Sequence, residues 1–214
     1  MGVRRRSLIK SSVAVFFVAL AMAASLTACG SSGSDNKPKD LTDRTGNSQY
    51  RGTPFTPPLP RPNFTLTDTT GSPYSFGTAT AGRPTLLFFG YTNCPDVCPF
   101  TMADIAAALK KLPEAVRKKV IVVFVTTDVK HDNPAAIASW LRHFDTDMPQ
   151  PFVGLTGTQD EVDAAQAAAH VVLAEEDGRT HSARVTYYGA DDYARESFAQ
   201  GTDLQDQLVH DLTL

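Results

Sequence analysis

Cysteine is scarce in this 214-residue chain, with only Cys29, Cys94 and Cys98. At most one disulfide can form within the chain, and one cysteine is left to be accounted for. Positive charge is not in excess: 20 Lys and Arg face 23 Asp and Glu, a net charge of −3. That balance speaks against nucleic acid as a partner, and the lack of a long acidic run excludes a charged tail. The longest unbroken apolar run, Val13 to Ala24, has 12 residues. A transmembrane helix needs about 20, so no comfortable span is encoded. There is also no internal repeat. What is present is a 42% hydrophobic composition, enough for one globular domain with a core and some chain left over.

The basic residues are unevenly placed. The first 28 residues hold Arg4, Arg5, Arg6 and Lys10 and no acid; the remainder carries 16 basic against 23 acidic residues, a net charge of −7. Such an acidic body serves solubility and suits a metal-handling protein or one that meets a basic partner. The basic start, the apolar run and the small residues before Cys29 have the architecture of a secretory signal peptide. Leu26-Thr27-Ala28-Cys29 resembles a bacterial lipobox. The resemblance implies a lipoprotein signal peptide over residues 1–28, cleavage before Cys29, and diacylglycerol with palmitate-type chains on its sulfur. Two acyl chains anchor stably where one is marginal, which places the mature protein on the extracytoplasmic face of the cell membrane. Arg5-Arg6-Ser7-Leu8-Ile9-Lys10 also resembles a twin-arginine export signal, with an ordinary basic leader as the alternative. Residues 29–55 read as a lipid-anchored flexible linker. Its tether-like composition continues to about residue 62 through Pro54, Pro57, Pro58, Pro60 and Pro62.

The domain, residues 56–214, alternates strand and helix signals. Phe64 and Leu66, then Tyr74 and Phe76, flank Asp68-Thr69-Thr70-Gly71-Ser72 and predict a β-hairpin. Thr85–Phe89 and Val120–Val125 are continuous apolar runs, the pattern of strands buried on both faces. Met102, Ile105, Leu109 and Leu112 share a helical face. Asn133-Pro134 caps and starts a second helix with a stripe of Ile137, Trp140, Leu141 and Phe144. Thr158 with Glu161, and Thr202 with Gln205, have capping-box spacing for two more. The last of these carries the stripe Leu204, Leu208 and Leu212. Short strands are expected at 152–155, 171–173, 183–188 and 193–198, the last two as a hairpin. The fold class is α/β, with an N-terminal β-hairpin and a mixed central sheet.

Chemistry concentrates in Gly90-Tyr91-Thr92-Asn93-Cys94-Pro95-Asp96-Val97-Cys98-Pro99, between the first central strand and its helix. Ligand sites in open α/β sheets gather at the carboxyl ends of strands. Pro99 places the helix start near Cys98, so both sulfurs stand near a helix N-terminus, which favours thiolate. A structural disulfide, a catalytic dithiol and a metal site are all compatible with the pair. The disulfide would close a very small loop and constrain the unfolded chain little. The three-residue spacer departs from the usual redox motif. Two thiolates suit Cu(I), and an added imidazole suits Cu(II) as well.

This stretch resembles the signature of the SCO/SenC family, thioredoxin-like copper proteins involved in assembling cytochrome c oxidase. The likeness extends from Phe64 to the C-terminus, through Thr127-Asp128, Asp132-Asn133-Pro134 and Thr180-His181-Ser182 in the same order. It implies a thioredoxin-like fold and a copper site, Cu(I) or Cu(II), built from Cys94, Cys98 and His181. It further implies an assembly factor, not a turnover enzyme, that delivers copper to the CuA site of an oxidase subunit or maintains the redox state of that site's thiols. Other copper chaperones or thioredoxin-like reductases would be its further partners. Asn93 stands where many members have histidine, and Val129 and His131 replace a proline and an arginine common in the loop after the second strand. The alternative is a membrane-anchored thiol-disulfide oxidoreductase using Cys94 and Cys98 as a redox-active pair. A peroxidase fits less well, since Arg83 is the only arginine near the strand. Of the other histidines, His131 reads as a solvated loop residue, His143 and His210 as surface positions on helices, and His170 as a structural residue opening a strand. Trp140 reads as core.

Overall fold

The computed structural model of the chain describes residues 49–174 and 182–214. The expected signal peptide, Cys29, most of the expected linker and His181 lie outside the described residues.

Two apolar runs form the centre of the fold. β4 (Thr85–Gly90) and β5 (Ile121–Thr126) pair in parallel, and every residue of both is buried. Their side chains alternate between two cores. Leu86, Phe88, Val122 and Phe124 face one side, where α2 (Val97–Lys111), α4 (Pro134–Asp145) and α6 (Leu204–Asp211) pack. Leu87, Phe89, Val123 and Val125 face the other, where α5 (Gln159–Ala168) and the opening hairpin pack. Burial on both faces explains why the sequence here is apolar without interruption.

Around this centre lies a mixed eight-stranded sheet in the order β1-β8-β7-β4-β5-β6-β2-β3. β6 (Val153–Thr156) extends the parallel part. β7 (Arg184–Tyr188) and β8 (Tyr193–Ala199) form the expected hairpin, and β7 runs antiparallel to β4. β2 (Thr65–Asp68) and β3 (Pro73–Ser75) make the opening hairpin. Asp68 Oδ1 accepts from the N–H groups of Thr70 and Ser72 at 2.8 and 3.0 Å, and Gly71 takes φ +84°, which a side chain would disfavour. Short helices α1 (Phe76–Ala79) and α3 (Glu114–Arg117) complete the described elements.

Helix caps follow the sequence closely in two cases. Asn133 accepts from Ala136 N–H at 2.9 Å with Pro134 at the first helical position, and Thr158 and Glu161 form a reciprocal capping box. The last helix differs. Its N-cap is Asp203, without a side-chain cap, and Gln205 instead donates to Asp104 Oδ1 at 2.8 Å, tying α6 to α2. Its stripe of Leu204, Leu208 and Leu212 is buried as expected.

Two further expectations are corrected. Residues 171–173 are not a strand. α5 ends there in a Schellman turn: His170 has φ +55°, its N–H bonds to Ala167 O, and Val171 N–H bonds to Gln166 O. His170 is thus an exposed helix terminator, not the start of a strand. The buried Gln166 side chain donates to Val172 O at 3.2 Å, taking an acceptor that a strand would need. The proline-rich stretch is likewise no tether as far as residue 62. β1 (Thr53–Pro60) pairs antiparallel with β8 at the sheet edge, with a register shift between Pro54 and Leu59. Proline is tolerated there because an edge strand needs ladder donors on one side only. Just beyond it, Arg61 is buried and donates to Asp192 Oδ1, Thr80 Oγ1, Arg83 O and Gly189 O, each at 2.9 Å.

Candidate metal and redox site

The parallel centre of the sheet ends at Gly90, opposite Thr126, and the chain turns at once into the cysteine segment. Cys94 N–H bonds back to Tyr91 O at 3.3 Å, closing a turn with Thr92 and Asn93 at its corners. α2 then begins at Val97, one residue earlier than Pro99 suggested, with Asp96 as N-cap and Pro99 still in the first turn. Cys98 is the second helical residue, and its N–H points at Cys94 Sγ, 3.4 Å away. The two sulfurs therefore meet at the N-terminus of α2, as the spacing implied.

Their environments differ. Cys94 is half-buried, whereas Cys98 is fully buried against Met102, Phe88 and Phe124. A Cβ added at Gly90 would come within 2.9 Å of Cys98 Sγ; glycine here makes room for the sulfur. The two sulfurs are not joined by a disulfide. Burial pushes the Cys98 thiol well above the ordinary cysteine range; the Cys94 sulfur and the Asp132 carboxylate add to this, and the hydrogen bond with the Tyr91 backbone opposes it. The expectation that the helix N-terminus makes a thiolate here is thus reversed for Cys98. A helix terminus contributes about 0.3–2 kcal/mol to a nearby charge, while full burial shifts a pKa by up to about 3–5 units. A metal arriving at this sulfur has to displace its proton.

A second loop holds the first. After β5 the chain turns through Thr127 and Asp128 to Asp132, and Thr127 N–H donates to Gly90 O at 2.7 Å. Asp132 is 1% exposed. Its Oδ2 accepts from Thr92 N–H at 2.9 Å and from Thr126 Oγ1 at 2.6 Å, and its Oδ1 accepts from the Thr92 hydroxyl. Sequence inspection registers Asp128 and Asp132 as shared with the family but assigns them no contact. His131 is exposed, with Nδ1 2.7 Å from Oδ1 of the buried Asp128. His143 lies on the surface of α4, its Nδ1 2.9 Å from Trp140 O. His210 is half-buried, Nδ1 2.6 Å from Asp211 Oδ1, and so is less of a surface residue than its helix pattern suggests. Trp140 is half-buried against the core, stacked at a tilt on Phe124 with ring centroids 4.8 Å apart.

Among the described residues, no three His, Cys, Asp or Glu side chains converge on one metal position. The cysteines form a pair of soft donors. β7 borders the same rim. It places Val185 opposite Phe88, so Ser182 and Ala183 enter the sheet at the rim where Gly90 leads into the cysteine turn. His181 precedes them and lies outside the described residues.

A family model described as SCO1/SenC matches residues 56–213. The protein SenC of Rhodobacter capsulatus is 39% identical over 87 residues, 40% of this chain and 37% of SenC. The chain spans half or less of the length of the curated relatives it matches first. Among solved structures, Bradyrhizobium japonicum ScoI with copper bound superposes with a TM-score of 0.57 at 30% identity, covering 72% of this chain and 98% of that one. BsSco, described as carrying a disulfide switch and as a member of the Sco family of cytochrome c oxidase assembly proteins, superposes with a TM-score of 0.56 at 23% identity, covering 73% and 94%.

Proposed function

The chain belongs to the SCO1/SenC family, and from that premise we propose that it is a copper-binding assembly factor for the CuA site of a cytochrome c oxidase. The observation that carries the proposal is the approach of Cys98 N–H to Cys94 Sγ at the N-terminus of α2, which brings two soft donors together at the carboxyl-end rim of the sheet. Two thiolates and an imidazole accept either copper oxidation state. Copper is the cargo: it binds as Cys98 gives up its proton, and it leaves by exchange of thiolate ligands with the acceptor. The copper-bound ScoI relative supports copper as the metal.

The lipobox places the site on the outer face of the membrane, with Cys29 as the lipidated residue. Among the described residues no helix is long and apolar enough to cross a membrane; in this reading the anchor is the lipid on Cys29. Tethering raises the effective concentration of a donor whose interface with its acceptor is small.

A second reading has its own support in the unequal burial of the two sulfurs. In a dithiol reductase, the accessible Cys94 thiolate attacks a partner disulfide and forms a mixed disulfide. Cys98 then attacks Cys94, its proton leaving as the second partner thiol is released; the pair is oxidised by two electrons and the partner reduced by two. The disulfide switch described for BsSco fits this chemistry. Complementation separates the two. In cells lacking the protein and grown with scarce copper, oxidase activity is expected to fall, and wild type to restore it. Cys94→Ser, Cys98→Ser and His181→Ala are all expected to fail. Full rescue by His181→Ala alone would overturn the copper-donor role in favour of the reductase.

A further inference from the structure

We propose that Asp132 is a positioning residue for the cysteine pair, its carboxylate fixing the turn that aims Cys94. This rests on the reading that Cys94 and Cys98 hold copper. The argument starts from cost. A buried carboxylate is unfavourable unless hydrogen bonds offset its lost hydration. Asp132 is almost fully buried, and among the described residues it makes no ion pair; the hydrogen bonds it accepts come from three donors. Two of those belong to Thr92, 40 positions away in sequence, and one to Thr126, so the carboxylate joins the cysteine turn to the end of β5.

The contact is made where it controls Cys94. Thr92 is the first corner of the turn that Cys94 N–H closes onto Tyr91 O. The N–H of that corner residue has no partner within a β-turn; here it is held by Asp132 Oδ2, and the hydroxyl of the same residue by Oδ1. Asp132 is not needed to start α4, since Asn133 is the cap. Its own N–H is bonded to Asp128 O at 2.9 Å, so the loop that presents it is itself closed. Cys98 is positioned independently, by the first turn of α2 and by the space at Gly90. Each sulfur is thus fixed by a different element, and the Asp132–Thr92 link sets one against the other.

Thr92→Val removes the hydroxyl but keeps the N–H; Thr92→Ser keeps both. The full-length chain, purified in detergent, is loaded with one equivalent of Cu(I), and copper release to excess bicinchoninate is timed without oxygen. The thiolate-to-metal absorption of the Cu(II) form is recorded alongside. Thr92→Val and Asp132→Ala are each expected to release copper about tenfold faster, the usual size of a lost outer-sphere partner, and to shift the absorption band. The double variant is expected to be no faster than Asp132→Ala, and Thr92→Ser to match wild type. Thr158→Ala, which weakens a distant cap, is expected to lower thermal stability without hastening release. Should Asp132→Ala fail to fold, the contrast between Thr92→Val and Thr92→Ser carries the test. Wild-type release from Thr92→Val, or equal acceleration by Thr158→Ala, overturns the positioning role alone. Wild type that takes up no copper overturns the copper reading and this role with it.

Discussion

Gly90 and Glu196 show how single side chains set conditions for the rest. At Gly90 a methyl group would meet Cys98 Sγ at 2.9 Å, with the Phe88 ring at 3.0 Å and the Phe124 ring at 3.2 Å leaving little room to yield. Overpacking of this kind costs about 1–3 kcal/mol, and in a domain of this size each kcal/mol lowers Tm by roughly 2–4 °C. Gly90→Ala is therefore expected to melt several degrees earlier and to bind copper more weakly, because the atom displaced is a proposed ligand; calorimetry and copper titration measure the two effects. Glu196 lies far from that chemistry. It is buried beside Asp211, and both carboxylates accept from Gly52 N–H, at 2.8 and 3.2 Å. Burial first, then the hydrogen bond and charge of Asp211, push its pKa up to about 9, with the Gly52 N–H opposing. The folded protein keeps this proton while the unfolded chain loses it near pH 4.3. The unfolded state is thus favoured increasingly between those two values, and the folded state loses stability as pH rises through that window. Glu196→Gln, which keeps a donor toward Asp211, is expected to match wild type near pH 5 and to melt higher near pH 8. Melting curves that stay parallel at the two pH values would count against the shared proton.

Elements whose signals are local were legible in the sequence, and those that depend on distant partners were not. The capping box of α5 needs only Thr158 and Glu161, three residues apart, and the structure forms it. Thr158→Ala is expected to cost about 1 kcal/mol, read as a fall of a few degrees in Tm. β4 and β5 were equally legible, because burial on both faces leaves an unbroken apolar run. β1 was not: five prolines between 54 and 62 dominate its composition, and its strand character comes from pairing Thr53 with Ser197 across the whole domain. Residues 171–173 were misread for the same reason in reverse. Their apolar run resembles a strand, but the αL backbone of His170 and the side chain of Gln166 direct it elsewhere. At the site, Cys94 and Cys98 were legible from spacing around Pro99, while the depth of Cys98 and the grip of Asp132 on Thr92 were not. Both arise where β4, β5 and α2 converge, which no window of sequence contains.

At the scale of the whole molecule, the sheet divides the labour. Its carboxyl-end rim carries the cysteines, the Asp132 loop and the entry to β7. The chain's approach to the domain is held elsewhere, where Arg51 and Gly52 donate to Asp211 at 2.9 and 3.2 Å, next to β1 at the sheet edge. The central claim is that the carboxyl-end rim holds copper through two thiolates and one imidazole. Elemental analysis of the purified, reduced chain after copper loading and gel filtration tests it most directly. One copper per chain is expected for wild type, with tight Cu(II) binding abolished or greatly weakened in Cys94→Ser, Cys98→Ser and His181→Ala. Full retention of tightly bound copper by His181→Ala, or by the variant lacking both cysteines, would contradict it.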